Sequence, residues 1–214
     1  MPSTRSERVR TASRQRREHE RQEVRQTILD AAVALFVEQG YAGFSLRQVA
    51  ERIGYSATTI YLYFSDKDDL IFTLADEGFR RFGARLTEAA AGTADPLGRI
   101  FALGRAYVAF GIEEPIYYQL MFMQRGDFLL SCRAGEERPR VDTLGILQQA
   151  FAEAIDAGYL QPGAAPADAD ALWALAHGIV ALHIAIPTVG RERAEAAATV
   201  GFQALIDGLR AGRE

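Results

Sequence analysis

The chain has 214 residues, of which 49% are hydrophobic and 24% charged. That balance excludes a disordered polymer, and no stretch approaches the roughly 18 uninterrupted apolar residues of a membrane span. The single cysteine, Cys132, excludes an intrachain disulfide and a Cys-x-x-Cys metal site. The Arg-rich start is followed by no apolar run of the secretory type, so a reducing cytoplasm is the expected setting.

The net charge of −4 hides a division along the chain. Residues 1–65 carry 10 Arg against 7 Asp and Glu, whereas the remainder carries 14 Lys and Arg against 21 Asp and Glu. A basic head on an acidic body points to a polyanionic partner, although a solvated basic tail would give the same count. Lys67 is the single lysine in the chain.

Residues 1–20 hold Arg5, Arg8, Arg10, Arg14, Arg16 and Arg17 with almost nothing apolar, and are expected to form a mobile basic arm. From Arg21 to Gln39 the apolar residues Val24, Ile28, Ala31, Ala32, Leu35 and Phe36 recur with helical period, and Gly40 follows as a stop. Ser45 then reads as an N-cap with Gln48 three residues on. Leu46, Val49, Ala50 and Ile53 form one apolar face, and Gly54 suits a left-handed terminus. Ser56 is a second N-cap, and a short helix to about Phe64 turns Ile60 and Phe64 inward. Two short helices joined by a tight Gly-containing turn make a helix-turn-helix. Asp66 caps a longer helix from Lys67 through Leu70, Ile71, Leu74, Phe79, Phe82 and Leu86 to Ala91.

Further helical runs are predicted at about 97–112, 115–124, 140–157, 166–186 and 191–210. They are separated at Pro115, at the polar stretch 125–139, between Gly158 and Pro166, and between Pro187 and Gly190. No sustained alternation appears, so the expected class is all-α with about nine helices. A three-helix head over 21–66 would be joined by the long helix to a helical-bundle domain over 67–214.

Residues 22–70 resemble the DNA-binding head of the tetracycline-repressor (TetR) family of bacterial regulators. The likeness is carried by Ile28-Leu29-Asp30-Ala31-Ala32, Phe36 and Gly40-Tyr41, then by Ser45, Leu46, Val49, Ala50 and Gly54. It continues through Ser56, Thr59, Ile60, Tyr61, Tyr63, Phe64, Lys67 and Leu70. In the body, Trp173, His177 and Gly178, with Glu114-Pro-Ile-Tyr-Tyr-Gln-Leu-Met-Phe122, resemble an effector domain of Trp-His-Gly type.

The chemistry of the head agrees with that resemblance. Ala57 and Thr58 open the third helix, where small side chains approach base edges and methyl groups suit thymine. Thr59, Tyr61 and Tyr63 offer hydroxyls to phosphate oxygens, and Ser45 and Ser56 at the helix starts are further candidate DNA-binding residues. Arg47 can fork onto a guanine, and Lys67 combines its charge with a helix N-terminus that favours phosphate. Packing roles remain open for Tyr41, Phe44, Tyr63 and Thr59, and a solvated face for Arg47 and Arg52.

In the body, Phe101, Tyr107, Phe110, Tyr117, Tyr118, Met121, Phe122 and Met123 form an aromatic and methionine stripe that lines either a pocket or plain core. Tyr107, Tyr117, Phe122, Trp173 and His177 are the candidate ligand residues. Trp173 and His177, four apart, should pack together, with His177 in a buried hydrogen bond. Cys132 beside Arg133 is either a low-pKa thiol or a bystander. No cofactor or metal is expected.

Small and apolar residues, Ala171, Leu175, Gly178, Leu182, Val200, Ala204 and Leu205, line one face of the last two helices. In the family the matching pair forms the homodimer interface. No catalytic elbow, phosphate loop or metal-protease motif is present, so the chain is not expected to be an enzyme. The expected function is a ligand-responsive, sequence-specific regulator, a repressor of a palindromic operator released by a small, largely apolar molecule. A DNA-binding architectural protein without effector is the alternative.

Overall fold

A computed structural model describes residues 5–123 and 142–210. Among these residues there are nine α-helices: α1 (Arg5–Gly43), α2 (Leu46–Ile53), α3 (Ala57–Tyr61), α4 (Lys67–Ala91), α5 (Pro96–Glu113), α6 (Pro115–Phe122), α7 (Thr143–Asp156), α8 (Ala165–Ala185) and α9 (Arg191–Leu209). No strand occurs among the described residues; one isolated antiparallel bridge links Leu160 to Arg210. The all-α expectation holds. Cys132, Arg133 and the polar break at 125–139 lie outside the described residues.

The chain divides into two compact units, Met1–Leu74 and Ala75–Glu214. The division falls inside α4, eight residues beyond the boundary expected from the sequence. In the first unit α1 is longer than its apolar pattern predicts. It starts at Arg5 and takes in residues expected to be a mobile arm. The physical reason is propagation. Once Ile28, Ala32, Leu35 and Phe36 are buried, each added residue needs only one further backbone bond, and Arg, Gln and Glu are good helix formers. Pairs at i, i+4, Arg16–Glu20 at 3.5 Å and His19–Glu23 at 3.2 Å, add a few tenths of a kcal/mol each. The predicted stop at Gly40 is a kink with φ 67°, after which the helix resumes for one turn.

The caps read from the sequence are present. Ser45 Oγ accepts from the Gln48 backbone N–H at 3.3 Å. The capping box is only half closed, because the Gln48 side chain accepts from Ser45 Oγ and donates to Gln39 Oε1 instead of returning to the cap backbone. Gly54 ends α2 at φ 72°, its N–H directed at the Ala50 and Glu51 carbonyls. Two residues later Ser56 Oγ accepts from Thr59 N–H at 3.1 Å and starts α3. The α3 helix is one turn shorter than predicted, but Ile60 and Phe64 are fully buried, as their spacing requires. Asp66 caps α4 through Asp69 N–H at 2.7 Å.

In the second unit α5 lies at the centre, packed against α7, α8 and α9. Glycines permit the closest approaches. A Cβ on Gly111 of α5 would fall inside the Val180 side chain of α8, and one on Gly104 would meet the Phe202 ring of α9 at 2.8 Å. Gly111→Ala is therefore expected to cost about 1–3 kcal/mol in urea unfolding, as overpacking of a dense core does. Gly208→Ala, in the last turn of α9 with nothing within 4 Å, should leave the midpoint unchanged or raise it slightly.

Candidate functional site

Two groups of predicted residues come together, one in each unit. In the first, the Gly54 turn sets α2 and α3 so that Leu46, Val49, Ala50 and Ile60 face the core while Ser45, Arg47, Ser56, Thr58 and Tyr61 remain exposed. Tyr61 keeps 57% of its surface and the adjacent Leu62 72%. Arg47 has no ion-pair partner among the described residues, so its five donors are available. Arg52 is instead held by Glu38 at 2.6 Å. Ala57, Thr59 and Tyr63 are half-buried, and the Thr59 hydroxyl is bonded to Ser56 Oγ at 2.9 Å.

Lys67 is placed differently from the simple expectation of a cation facing outward. Its Nζ donates to the Tyr41 carbonyl oxygen and lies 4.3 and 4.7 Å from the centres of the Tyr41 and Phe44 rings. Burial lowers its pKa, with Asp68 pulling the other way. At least one of its three N–H donors is thus used inside the head. The carbonyl that holds it lies 26 residues away and leaves no trace in the local sequence.

The same unit carries a basic stripe along α1. Arg14, Arg17, Arg21 and Arg25 recur at three to four residues on the exposed helix. At its C-terminal end Arg21 lies over the Tyr63 ring at 6.0 Å and Arg25 over Phe64 at 5.3 Å. This face adjoins the end of α3.

The second group lies within the body core. Tyr118 is fully buried, and its hydroxyl is 2.6 Å from His177 Nδ1. The Tyr107 hydroxyl is 3.2 Å from that of Tyr118 and 3.3 Å from the same nitrogen. Trp173 Nε1 donates to the Tyr107 oxygen at 3.2 Å. Phe122 closes the group, edge-on to His177 at 5.8 Å and tilted against Tyr107 at 6.0 Å.

Of the five ligand candidates, Tyr107, Phe122, Trp173 and His177 are brought together, and the expected buried hydrogen bond of His177 is present. Tyr117 is not among them; its ring lies under the Arg81 guanidinium at 4.6 Å. Tyr118 takes the place that sequence reasoning gave to its neighbour. Two consecutive tyrosines carry no local signal of which faces inward, and only the position of Glu114 and Pro115 at the start of α6 fixes that phase.

Burial pushes the Tyr107 hydroxyl up to about 12 and that of Tyr118 further still, so both keep their protons at any working pH. Burial lowers the pKa of His177. Among the described residues no group of His, Cys, Asp and Glu is arranged to hold a metal, and no helix is long and apolar enough to cross a membrane.

A helix-turn-helix with an exposed second helix, joined to a helical bundle, is an architecture used by bacterial DNA-binding regulators. A family model described as "Bacterial regulatory proteins, tetR family" matches residues 28–74. A second, "Tetracyclin repressor-like, C-terminal domain", matches residues 100–209. The chain belongs to the TetR family of bacterial regulators, a family of regulators rather than enzymes.

Among curated relatives, the fatty acid metabolism regulator protein of Bacillus subtilis is 38% identical over 61 residues, 28% of this chain and 31% of that one. The HTH-type transcriptional repressor KstR of Mycolicibacterium smegmatis is 31% identical over 138 residues, 64% of this chain and 65% of that one. The chain thus covers less than two thirds of either relative. A solved structure from Rhodococcus sp. RHA1, of unknown function, shares 27% identity with a TM-score of 0.71 over 87% of this chain and 95% of its own.

The lowered pKa of His177 gives a stability dependence with a definite sign. The unfolded chain takes up a proton near the ordinary value of 6.5, while the folded chain takes it up only at lower pH. Stability is therefore full above that pH and declines as pH falls below it. Chemical unfolding of the wild type between pH 7.5 and 5.5 should show this decline, and His177→Gln should show a smaller one.

Proposed function

We propose that the chain is a homodimeric repressor that binds a palindromic operator through α2 and α3 and leaves it when a small, largely apolar effector enters the body. The observation that carries the DNA part is the Gly54 turn with its two serine caps. It aims an almost uncharged, exposed face, from Ser56 to Tyr61, outward from a buried Ile60 and Phe64. Ala57 and Thr58 approach base edges. Ser45, Ser56, Thr59, Tyr61 and Tyr63 bind phosphates, together with Lys67, and Arg47 reads a guanine. The arginine stripe of α1 gives the N-terminal segment a phosphate-binding role as well. A cytoplasmic setting follows from that partner.

One recognition helix reads too few base pairs for useful specificity, and a two-fold dimer supplies two, about 34 Å apart or a multiple of it. The surface of the last two helices supports that assembly. Leu182, Ile186 and Val200 are 53%, 40% and 70% exposed, with Ala171 and Ala204 also open. Trp173 and His177 of α8, which carry the Trp-His-Gly resemblance, belong to the hydrogen-bonded aromatic cluster, and a polar group inside an apolar shell suits an effector. Coupling runs along α4, whose first turns belong to one unit and whose remainder belongs to the other.

Binding-site selection with the purified protein tests the DNA roles. Arg47→Ala should lose preference at one position of each half-site, worth about 1–3 kcal/mol. Lys67→Ala should weaken all sites alike and lower the salt slope by about 1. An unchanged motif for the first, or an altered motif for the second, would reverse the assignments.

The dimer is tested by sedimentation. Val200→Glu should give a folded monomer with operator affinity reduced by two orders of magnitude or more, since about half of the contacts are lost. A dimeric Val200→Glu protein would place the interface elsewhere.

A further inference from the structure

The hydrogen bonds among Trp173, Tyr107, Tyr118 and His177 can be ordered by counting protons. An indole N–H only donates, so the Tyr107 oxygen must accept from Trp173. The Tyr107 proton then needs an acceptor, and the groups within reach are the Tyr118 oxygen and His177 Nδ1. If Nδ1 is an unprotonated acceptor, every proton is placed. Trp173 donates to Tyr107, Tyr107 to Tyr118, and Tyr118 to Nδ1 at 2.6 Å.

If Nδ1 carries hydrogen, it donates to Tyr118, Tyr118 donates to Tyr107, and the Tyr107 proton has nowhere to go. Tyr107 is only 7% exposed, so that orphan would disfavour the arrangement roughly tenfold or more. The order therefore requires His177 to be the neutral Nε2–H tautomer. The chain of donors ends at Nε2, which has no acceptor among the described residues. Nor is it a sealed, unsatisfied nitrogen, for there is none among the buried side chains of the described residues.

We propose that His177 Nε2–H is the fixed outward donor that anchors an uncharged, largely apolar ligand by a carbonyl oxygen. The inference rests on the effector reading above and specifies its chemistry. A single donor suits one acceptor atom. Phe122 and the Trp173 ring, 5.8 and 6.4 Å from the imidazole, supply apolar contact for the remainder. Among the described residues no charged side chain pairs with any of the four, so against these residues a carboxylate head would lose its water for one hydrogen bond and no cation, and an ammonium head would meet a donor.

The test uses the full-length protein with 15N-labelled histidine. The three histidines, at 19, 177 and 183, are assigned from a His177→Gln spectrum. Before any ligand is added, His177 should show unprotonated Nδ1 and protonated Nε2; an Nδ1–H tautomer overturns the proposal. The probes 2-decanone, decanoate and decylammonium are then titrated. The expected result is that 2-decanone binds most tightly and moves the His177 Nε2 resonance. Equal or tighter binding of decylammonium or decanoate overturns the ligand class, and absence of binding by all three overturns the site.

Two variants separate the donor from mere packing. A Gln amide reaches the position of Nε2 and an Asn amide that of Nδ1. His177→Gln should keep 2-decanone affinity within about threefold, and His177→Asn should lose about tenfold or more, as for a removed hydrogen bond. Thermal melts check that both are folded, and equal losses overturn the donor role. Ketone binding at His177 that leaves DNA affinity unchanged would support the anchor while removing the effector reading.

Discussion

A helix of five residues has no stability of its own, and everything the head can read depends on making α3 one. Three local devices do this within three positions. Gly54 takes a positive φ that any other residue would resist, Tyr55 returns its N–H to the Ala50 carbonyl at 3.0 Å, and Ser56 replaces the missing N-terminal partner. Burial of Ile60 and Phe64 then fixes the rotation of the turn about its own axis. The exposed face from Ser56 to Tyr61 is the complement of that buried pair, so its composition can vary without disturbing the fold.

Such devices are visible in a sequence because they act over three or four residues. Ser45, Gly54, Ser56 and Asp66 were legible for that reason, and so was the i, i+4 pair of Trp173 and His177. What was not legible depends on distant partners or on propagation. The helical state of residues 5–20 comes from a helix already nucleated further on, which their own composition does not reveal. The inward turn of the Lys67 ammonium is set by the Tyr41 carbonyl in another helix. The choice of Tyr118 over Tyr117 for the buried cluster is set by the phase in which α6 leaves Pro115. For Lys67 and the two tyrosines the residue type was informative and its direction was not.

The two units solve different problems with the same element. Before Leu74, α4 closes the head core with Leu70, Ile71 and Leu74; after it, Phe79, Phe82 and Leu86 belong to the aromatic core of the body. On the body side the helix is also held by charge. Arg85 meets Glu113 at 2.5 Å, and Arg80 and Arg81 each meet Glu77 at 2.8 Å, which holds the Glu77 carboxyl down to about 2. These bonds are part-exposed and individually worth little. The two bonds to Glu77 lie within α4 and stiffen it locally, whereas Arg85–Glu113 ties α4 to α5.

The chain contains one tryptophan, and it occupies the first position of the hydrogen-bonded cluster. Its indole N–H is held by a tyrosine oxygen in an otherwise apolar surround. The tryptophan emission, excited apart from that of the eight tyrosines, therefore originates from a single place, beside His177. A molecule that disturbs Tyr107 or displaces local solvent would shift that emission with no label added. The regulator carries an intrinsic fluorescent reporter, and unknown compounds could be screened against it optically before any operator is known.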